Sequence, residues 1–560
     1  MPLRTPLRTP SRARLVMAVS LAVTASLASP AGAQPLPDST RLRIDRLFGR
    51  YDSTSPGCLV GVGKDDKVLF ATGYGMSNLE YGVPLTRASI SESGSVAKQF
   101  TAAAVVLLQL DGKLSLDDDI RKYLPEVPDF GATITIRNLL THTSGLRDQW
   151  ALLGLMGRDP GTEVHTHAEI LDLVHRQQEL NFPVGSEYLY SNTGYVLAAT
   201  IVSRVSGMPF ATFSRERLFK PLGMTHTQWR DDFRRVVPGR ATAYTFERGA
   251  WVQDMPFTMV HGNGGLLSTI DDLLRWNDAL TDGFPGYPGL TKQLETTQRL
   301  TNGRQLDYAL GLSVAPWSTG VREVSHSGST AGYRTWMARY PEVRTSVAVW
   351  CNAGTANAGS LGRQVAMLVV PRTTAPRPSP TTVAAEDRDR VTGIYRDPRT
   401  DDYLTIATVG DYLRVIGPSS DSLRAERAPG RFSTGAGYQL TFAPSDAKAT
   451  SLHLQLPGGD VMEMLASRPP TLRADELSTY AGTFRSPELG STLVFRVDKG
   501  RLLVRFSPDE EAALVPLYED GFRMLSSGFT ARFTRSPSGQ VTGARIFAGR
   551  ARNVRFERVP

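Results

Sequence analysis

The chain has 560 residues, which is too long for one hydrophobic core and predicts two or three domains. Its composition, 41% hydrophobic and 21% charged, is that of a globular protein and excludes a wholly disordered or fibrous one. The formal net charge is +8, but there is no basic run with interleaved aromatic residues, so no nucleic-acid partner is expected.

Residues 1–33 have the pattern of a secretory signal peptide. Four arginines precede the apolar stretch of residues 15–28, and Ala31-Gly32-Ala33 supplies small residues at the spacing that a signal peptidase reads. The apolar stretch is shorter than the ~20 residues that span a bilayer, which disfavours a membrane anchor. We therefore expect a periplasmic or secreted protein of net charge +4, without stable membrane insertion once the signal is removed.

An α/β domain is predicted over residues 34–370. The segment RLRIDRLFGRY predicts a short amphipathic helix, and CLVGVGKD and KVLFATGYG predict two strands. Helical patterns dominate from Ser95 to about Leu280, and strands return in YALGLSVAP, TWMARYPE and TSVAVWCN. We therefore expect a sheet whose strands come from both ends of the domain, with helices between them in the chain.

The two cysteines, Cys58 and Cys351, fall in two of these predicted strands. In an oxidising compartment they could form a disulfide if their Cα atoms come within bonding range. Two buried free thiols are an equally good interpretation. The sequence leaves this choice open.

The rest of the chain differs in composition and in its predicted secondary structure. Four prolines in PRTTAPRPSP predict a semi-rigid linker over residues 371–385. Short alternating strands follow, and residues 392–396 (TGIYR) are echoed by residues 481–485 (AGTFR). This duplication predicts two similar small antiparallel β-barrel-like modules, at residues 386–470 and 471–560.

The motif SGSVAKQF places Lys98 one helical turn after Ser95, just before an apolar run. A serine hydroxyl becomes a nucleophile when a neighbouring base takes its proton, and burial can make a lysine such a base. The helix start would also favour negative charge developing near Ser95. Alternatively, Ser95 only begins the helix and Lys98 extends to solvent.

Two further motifs could complete a catalytic site. In YSN, Tyr190 could move protons beside an ammonium group, and Asn192 could bind a substrate amide. In VSHSGSTAGY, His326 lies at a strand-like edge, Gly328 would admit a substrate backbone, and the Ser329 amide could face the substrate carbonyl. Each motif alone is weak evidence, since a capped helix or a turn gives the same pattern.

Together, in this order, the three motifs resemble those of the serine β-lactamase and penicillin-binding protein superfamily. The Tyr-x-Asn form is similar to the branch of class C β-lactamases, D-aminopeptidases and related esterases. The resemblance covers roughly residues 40–370 and includes the segments LLTHTSGL, LFKPLGMTHT and GNGGLLSTIDDLLRW. It implies a β-lactamase-like α/β catalytic domain, in which an antiparallel sheet is flanked by helices.

The resemblance also implies roles for single residues. Ser95 would be acylated, and Lys98 and Tyr190 would transfer protons. Asn192 would contact substrate, and His326 would line the opposite wall. The amides of Ser95 and Ser329 would form the oxyanion hole.

One departure from the superfamily concerns its third motif, which is usually Lys-Thr-Gly. His326 replaces that fixed cation and is mostly uncharged at neutral pH, which weakens the anchoring of a substrate carboxylate. The His-x-Gly form and the duplicated tail resemble D-aminopeptidases, in which one tail barrel lends a loop to the active site. For amine recognition, residues 509–511 and Glu519-Asp520 are candidate acidic loops, or else ordinary solvated turns.

Other polar clusters have simpler interpretations. His165 and His167 lack further ligands, so no metal site is expected, and His142 is interpreted as a loop-packing residue. No glycine-rich phosphate loop follows a strand, and no cofactor is expected.

The sequence therefore predicts an exported serine hydrolase that acts through an acyl-enzyme on Ser95. Its substrates would be small molecules or peptides: D-aminoacyl amides or peptides, or small esters. The alternatives are an esterase or β-lactamase of the same fold, or a low-turnover protein that binds cell-wall peptides. Whether the chain forms a homo-oligomer is left open.

Overall fold

The computed structural model describes residues 35–159, 161–371, 382–416, 421–425, 429–434, 438–456, 461–508, 510–525 and 528–560. The predicted signal peptide lies outside the described residues, as does most of the predicted linker. The chain folds into one α/β domain and two β-barrels, which confirms the predicted fold class. The predicted domain limits stay predictions.

The strands of the first domain are short apolar runs between turns. They are β1 Cys58–Lys64, β2 Lys67–Tyr74, β3 Met76–Asn78, β4 Val83–Pro84, β5 Ser91–Glu92, β6 Gln228–Trp229, β7 Tyr244–Glu247, β8 Ala250–Gln253, β9 Leu266–Ser268, β10 Ser313–Ser318, β11 Val321–Thr330, β12 Tyr333–Tyr340 and β13 Thr345–Cys351. Six of them form an antiparallel sheet in the order β10-β11-β12-β13-β1-β2. Strands from both ends of the domain therefore meet at the β13–β1 pair, as predicted.

The α-helices of this domain lie on both faces of the sheet. They are α1 Asp38–Phe48, α2 Lys98–Leu110, α3 Ile136–Leu140, α4 Gln149–Leu155, α5 His167–His175, α6 Asn192–Ser206, α7 Phe210–Ser214, α8 Ile270–Asp282, α9 Leu290–Leu294 and α10 Ala358–Val369. Single turns of 3-10 helix occur at Gly94–Ala97, Ile120–Lys122, Lys220–Leu222 and Pro341–Val343, and a π-helical turn occurs at Arg215–Phe219.

The central strand β13 shows why both faces are covered. Successive side chains of a strand point to opposite faces. Ala348 and Trp350 belong to the core formed with α2, α6 and α8, whereas Val347 and Val349 belong to the core formed with α1 and α10. Every residue of β13 is buried, so the sheet is the middle layer of the domain.

A disulfide joins Cys58 of β1 to Cys351 of β13, which lie directly opposite each other in the antiparallel ladder. The choice left open by the sequence is therefore resolved in favour of pairing.

Two closed barrels follow, each of eight antiparallel strands and each preceded by a short helix. The first has α11 Ala385–Val391 and strands β14 Gly393–Arg396, β15 Tyr403–Val409, β16 Tyr412–Ile416, β17 Asp421–Ala425, β18 Arg431–Thr434, β19 Gln439–Ala443, β20 Ser451–Gln455 and β21 Val461–Ser467. The second has α12 Ala474–Ser478 and strands β22 Gly482–Arg485, β23 Thr492–Asp498, β24 Arg501–Ser507, β25 Glu510–Tyr518, β26 Gly521–Met524, β27 Phe529–Arg535, β28 Val541–Ala548 and β29 Ala551–Arg558.

The echo between the two modules is structural as well. Tyr395 and Phe484, at matching positions of the first strands β14 and β22, are both buried in their barrel cores. The second barrel also shares a hydrophobic core with α4 and α5 of the first domain, through residues such as Leu153 and Leu173. The second barrel therefore packs directly on the α/β domain.

Within the described ranges, no single helix is long and apolar enough to cross a membrane; one pair bent by 80°, Asn192–Ser206 with Phe210–Leu222, meets the length and composition criteria jointly.

Candidate active site

Ser95 lies in the 3-10 turn Gly94–Ala97, which leads directly into α2. In a 3-10 turn, side chains three residues apart eclipse each other. Lys98, the first residue of α2, therefore stands over Ser95, and its Nζ lies 3.1 Å from the Ser95 Oγ. The helix itself brings the two predicted groups together.

Lys98 is completely buried, and its amine has three neighbours. Besides the Ser95 hydroxyl, Nζ donates to the side-chain oxygen of Asn192 at 2.8 Å and to the backbone carbonyl of Asn263 at 2.6 Å. Burial lowers the pKa of Lys98 well below its ordinary value, and the positive charge of Arg550 lowers it further, against the opposing effect of Asp148. The amine is thus biased toward its neutral form.

Tyr190 lies beside the same amine, with Lys98 Nζ 4.8 Å from the centre of its ring. Its hydroxyl is buried, and no described atom completes a hydrogen bond of ordinary geometry with it. Burial raises the pKa of Tyr190 above its usual range; the Ser95 hydroxyl acts in the opposite direction but does not prevail. The phenol therefore keeps its proton at neutral pH.

Asn192 begins α6 and is held by Asp148, the residue that caps α4. The Asp148 carboxylate accepts from the Asn192 backbone N–H at 2.6 Å and from its side-chain amide at 2.9 Å. This fixes the side-chain oxygen of Asn192 toward Lys98. Asp148 and Asn263 were not identified from the sequence; the N-cap pattern before an apolar helix was the only signal for Asp148.

His326 of β11 is buried and belongs to a directional hydrogen-bond chain. The Ser191 N–H donates to His142 Nδ1 at 3.1 Å, so His142 carries its proton on Nε2, 3.2 Å from the Tyr308 hydroxyl. Tyr308 in turn donates to His326 Nε2 at 2.9 Å, and His326 Nδ1 donates to the Ser327 carbonyl at 2.6 Å.

Both histidines of this hydrogen-bond chain are neutral at neutral pH. Burial lowers the pKa of His326 to about 4 and lowers the pKa of His142 well below its ordinary value, and a proton on Lys98 would lower both pKa values further. His142 does pack in its loop, as expected, but it also fixes the orientation of a site residue. Tyr308 gave no recognisable signal in the sequence.

The backbone around Ser95 and β11 is in direct contact, which only glycine permits. Gly94 has a φ of 49°, and a Cβ on it would lie 2.6 Å from the Ser329 nitrogen. A Cβ on Gly328 would lie 2.8 Å from the Ser95 nitrogen. The two amides of the predicted oxyanion hole therefore lie side by side.

A cleft of about 690 Å³ opens in front of these groups. Six of the seven predicted site residues line it: Ser95, Tyr190, Asn192, His326, Gly328 and Ser329. Lys98 lies behind Ser95, away from solvent. Asp159 and Asp254 line the same cleft.

The tail contributes to the cleft differently from the expectation. Its residue in the cleft is Arg550, from the second barrel, and not an acid. Among the candidate acids, Glu511 pairs with Arg496, and Asp520 pairs with Arg535. Residues 510, 511, 519 and 520 are absent from the cleft wall, and residue 509 lies outside the described residues.

The histidines set aside as a metal site have ordinary partners. His167 begins α5, whose cap is Thr166, and its Nε2 accepts from the His261 N–H at 3.1 Å. His165 contacts Glu169 at 3.2 Å. In the part of the chain that the structure describes, no group of three or more potential ligands is arranged for a metal ion.

Comparisons with known proteins agree with this geometry. The Beta-lactamase family model matches residues 44–372. A penicillin-binding protein of Bacillus subtilis is 31% identical over an alignment of 297 residues, which covers 50% of this chain and 64% of that protein. A D-aminopeptidase of Brucella anthropi is 25% identical over an alignment of 530 residues, which covers 90% of this chain and 95% of that protein.

A solved structure has a similar fold over much of the chain. The octameric penicillin-binding protein homologue from Pyrococcus abyssi superposes with a TM-score of 0.55 and 24% identity, covering 76% of this chain and 99% of that one. The match to the Bacillus protein, in contrast, spans less than two thirds of that protein. The family match includes more than half of the chain and all three motifs. The chain belongs to the beta-lactamase family.

Proposed function

We propose that this chain is an exported serine hydrolase that forms an acyl-enzyme on Ser95 and cleaves D-aminoacyl amides or peptides, or small esters. One observation carries the catalytic part. The Lys98 amine is buried and contacts the Ser95 hydroxyl together with two oxygens, those of Asn192 and Asn263.

This arrangement makes Lys98 a base. A neutral amine has two N–H groups and one lone pair. The two amide oxygens can only accept, so they take the two N–H groups and leave the lone pair facing Ser95. Lys98 then removes the Ser95 proton as Oγ attacks the substrate carbonyl.

The later steps use Tyr190 and the backbone. The amides of Ser95 and Ser329 stabilise the negative oxygen of the tetrahedral intermediate. Tyr190 donates its proton to the leaving group and regains one from Lys98, so that an acyl-enzyme and a neutral leaving group result. Water then attacks the acyl-enzyme ester. The Tyr190–Lys98 pair takes a proton from the water and returns one to the Ser95 oxygen, which releases the acid.

The substrate class is supported by the D-aminopeptidase of Brucella anthropi, whose match extends over 90% of this chain and so includes the barrels. Asp159 and Asp254 line the cleft and would complement the amine of an aminoacyl group. His326, neutral above a pKa of about 4, offers no fixed cation to a β-lactam carboxylate. The aminopeptidase match and the two cleft carboxylates therefore favour aminoacyl amides, peptides and esters as substrates.

Intact-mass analysis tests the catalytic proposal. The full chain is incubated with D- and L-aminoacyl amides, small esters and β-lactams, and acyl adducts are sought. We expect an adduct on Ser95 with D-aminoacyl amides, no adduct in Ser95→Ala, and an unchanged adduct in Ser327→Ala, which removes an exposed hydroxyl from the same cleft. Turnover that survives in Ser95→Ala would exclude this mechanism.

Export is supported by the N-terminal pattern of residues 1–33 and by the Cys58–Cys351 disulfide, because disulfides persist mainly in oxidising compartments. The test is the mass of the mature protein recovered from the periplasm or medium of a bacterial host. We expect a chain that begins at Gln34. Retention of the intact chain in the cytoplasm would contradict export.

A further inference from the structure

Arg550 occupies the tip of a hairpin that the second barrel inserts into the cleft. Strands β28 and β29 pair up to Ala548 and Ala551, so only Gly549 and Arg550 form the turn. Gly549 has a φ of 57°, which a two-residue hairpin turn needs at its first central position and which favours glycine. The turn therefore presents one side chain, that of Arg550, at a defined place.

The hairpin is tied to the α/β domain by backbone hydrogen bonds. The Arg550 carbonyl accepts from the Asp148 N–H at 3.2 Å and from the Asn181 side chain at 2.9 Å. The Arg552 N–H donates back to Asn181 at 2.7 Å, and its carbonyl accepts from the buried Arg147 at 3.0 Å. Arg550 is therefore part of the site in the folded protein.

The guanidinium of Arg550 lies over Tyr190 and forms a long ion pair with Asp148. Its centre is 4.9 Å from the centre of the Tyr190 ring. The nearest carboxylate, that of Asp148, is 3.9 Å away, and its oxygens already accept from Asn192 and from the Trp150 N–H. The side chain is 47% exposed, and in the described parts of the chain its guanidinium makes no hydrogen bond.

We propose that Arg550 binds a carboxylate on the leaving group of the substrate. This inference rests on the proposed function, in which Tyr190 gives its proton to the leaving atom. That atom must lie within hydrogen-bond reach of the Tyr190 hydroxyl, so the part of the substrate beyond it passes Arg550. In a dipeptide, one carbon separates the leaving nitrogen from the terminal carboxylate, and a guanidinium binds a carboxylate through two parallel hydrogen bonds.

Arg550 thereby supplies the cation that β11 lacks. His326, the ionisable side chain of β11 that lines this cleft, is neutral above a pKa of about 4. The cleft then has opposite charges in different places: Arg550 beside Tyr190, and Asp159 with Asp254 elsewhere on the wall. A free dipeptide matches this pattern, since its amine belongs to the acyl part and its carboxylate to the leaving group.

The test compares D-alanylglycine with D-alanylglycinamide, which differ only in the charge of the leaving group, by release of D-alanine. We expect wild-type kcat/KM to favour the free dipeptide by about 10- to 100-fold, the range of a charge-assisted hydrogen bond. Arg550→Gln should abolish this preference, Arg550→Lys should retain part of it, and Arg550→Glu should reverse it. The control Arg555→Gln, on the same hairpin with similar exposure but paired with Glu557, should keep it.

A third substrate, D-aspartyl amide, carries its carboxylate in the acyl part. If Arg550→Gln impairs only this substrate, the carboxylate is bound on the acyl side and the proposal is wrong. Equal kcat/KM for the two dipeptides in the wild type, or an unchanged preference in Arg550→Gln, also overturns it. Melting temperatures show whether each variant is folded.

A binding experiment decides the proposal even if neither dipeptide is hydrolysed. Each compound is used to protect Ser95 from a fluorophosphonate probe. If D-alanylglycine protects Ser95 at a lower concentration than its amide does, and if Arg550→Gln removes this difference, the carboxylate site is supported. That conclusion holds even if the peptidase function fails. Equal protection by both compounds overturns the site. Activity that survives in Ser95→Ala, in contrast, overturns the proposed function. This result is independent of the binding result for Arg550.

Discussion

The Tyr308 hydroxyl donates to Nε2 of His326 at 2.9 Å and thereby joins the third motif to the loop that carries the second. The same hydroxyl lies 3.2 Å from His142 Nε2, and His142 Nδ1 accepts from the N–H of Ser191, next to Tyr190. Two walls of the cleft are thus held in register by one buried phenol. The orientation of His326 depends on a residue outside every recognised motif.

Tyr308→Phe should therefore impair both stability and activity. It leaves nitrogens of His142 and His326 buried without a partner, at a cost of about 1–3 kcal/mol. We expect a lower melting temperature and a reduced kcat/KM on the substrate that acylates Ser95. Tyr81→Phe, which alters an 82% exposed phenol, is the control and should change neither. A Tyr308→Phe variant that matches the wild type in both measurements would refute the positioning role.

The neutrality of His326 predicts a loss of stability in acid. Its pKa is about 4 in the folded protein and about 6.5 unfolded, so between these values the unfolded chain binds more protons. The contribution is fully present above pH 6.5 and is lost as pH falls toward 4, by about 3 kcal/mol. His167, whose burial lowers its pKa to about 3, acts in the same direction.

The measurement is the urea midpoint at pH 7.5, 5.5 and 4.5 for the wild type and His326→Asn. The variant should lose less stability across this range, because its share of the proton uptake is gone. The other buried histidines still make the stability of both proteins depend on pH to some extent. Identical slopes would mean that His326 is not neutralised by folding.

Tyr190→Phe should separate chemistry from folding. The hydroxyl has no hydrogen bond of ordinary geometry to lose, so the melting temperature should hardly change. Loss of the proton donor should reduce kcat by about 10²- to 10⁴-fold. Tyr195→Phe is the reverse case: its hydroxyl donates to the Leu140 carbonyl at 2.6 Å, so it should lose about 1 kcal/mol of stability. Tyr190→Phe activity within threefold of wild type would remove Tyr190 from the mechanism.

Much of the fold was predictable because it depends on local periodicity. Apolar alternation predicted the strands that became β1, β2, β12 and β13, and the echo between residues 392–396 and 481–485 predicted two modules, both of which are eight-stranded barrels. The Ser95–Lys98 pair followed from helical spacing. These features need only residues that are close in sequence.

The parts of the site that the sequence did not predict are tertiary contacts between distant segments. Asn263 contributes only a carbonyl to Lys98, which any residue type could supply. Tyr308 is separated by 166 residues from one of its histidine partners, and Arg550 reaches the cleft from a different domain. A Gly-Arg turn between two strands looks the same whether it meets solvent or substrate.

Gly328→Ala should strongly reduce activity by displacing the backbone. The new Cβ would lie 2.1 Å from the Ser93 carbonyl oxygen and 2.8 Å from the Ser95 nitrogen. Relief of these contacts must move β11 away from the turn that holds Ser95 and separate the two amides. We expect kcat/KM to fall by more than about 100-fold, the cost of one misplaced oxyanion donor. The rate of fluorophosphonate labelling of Ser95 gives an independent readout.

Gly154→Ala is the matched control for that change. Gly154 lies inside α4, and a Cβ added to it would meet no described atom within 4 Å. Alanine should stabilise the protein by about 0.5–1 kcal/mol and leave the rate unchanged. If Gly328→Ala behaves like Gly154→Ala, the close approach between β11 and the Ser95 turn has no catalytic meaning.

The ion pair between Arg147 and Glu488 should hold the second barrel in place. The two side chains are 0% and 1% exposed and 2.5 Å apart, and Arg147 also donates to the Arg552 carbonyl, two residues from Arg550. Glu488→Gln leaves the buried Arg147 charge with only the partly exposed Glu179, 3.7 Å away, as counter-ion, so the cost should be at most about 3–5 kcal/mol. We expect a lower urea midpoint and a reduced kcat/KM, because the hairpin that carries Arg550 loses its support.

The control is an ion pair of the same length in the same barrel. Arg555 and Glu557 are also 2.5 Å apart but are 49% and 55% exposed, so water screens their attraction. Glu557→Gln should leave both the urea midpoint and kcat/KM unchanged. Limited proteolysis provides a third measurement, since Glu488→Gln should expose the joint between the barrel and α4 to cleavage. Equal behaviour of the two glutamine variants would show that the barrel is held by its hydrophobic contacts alone.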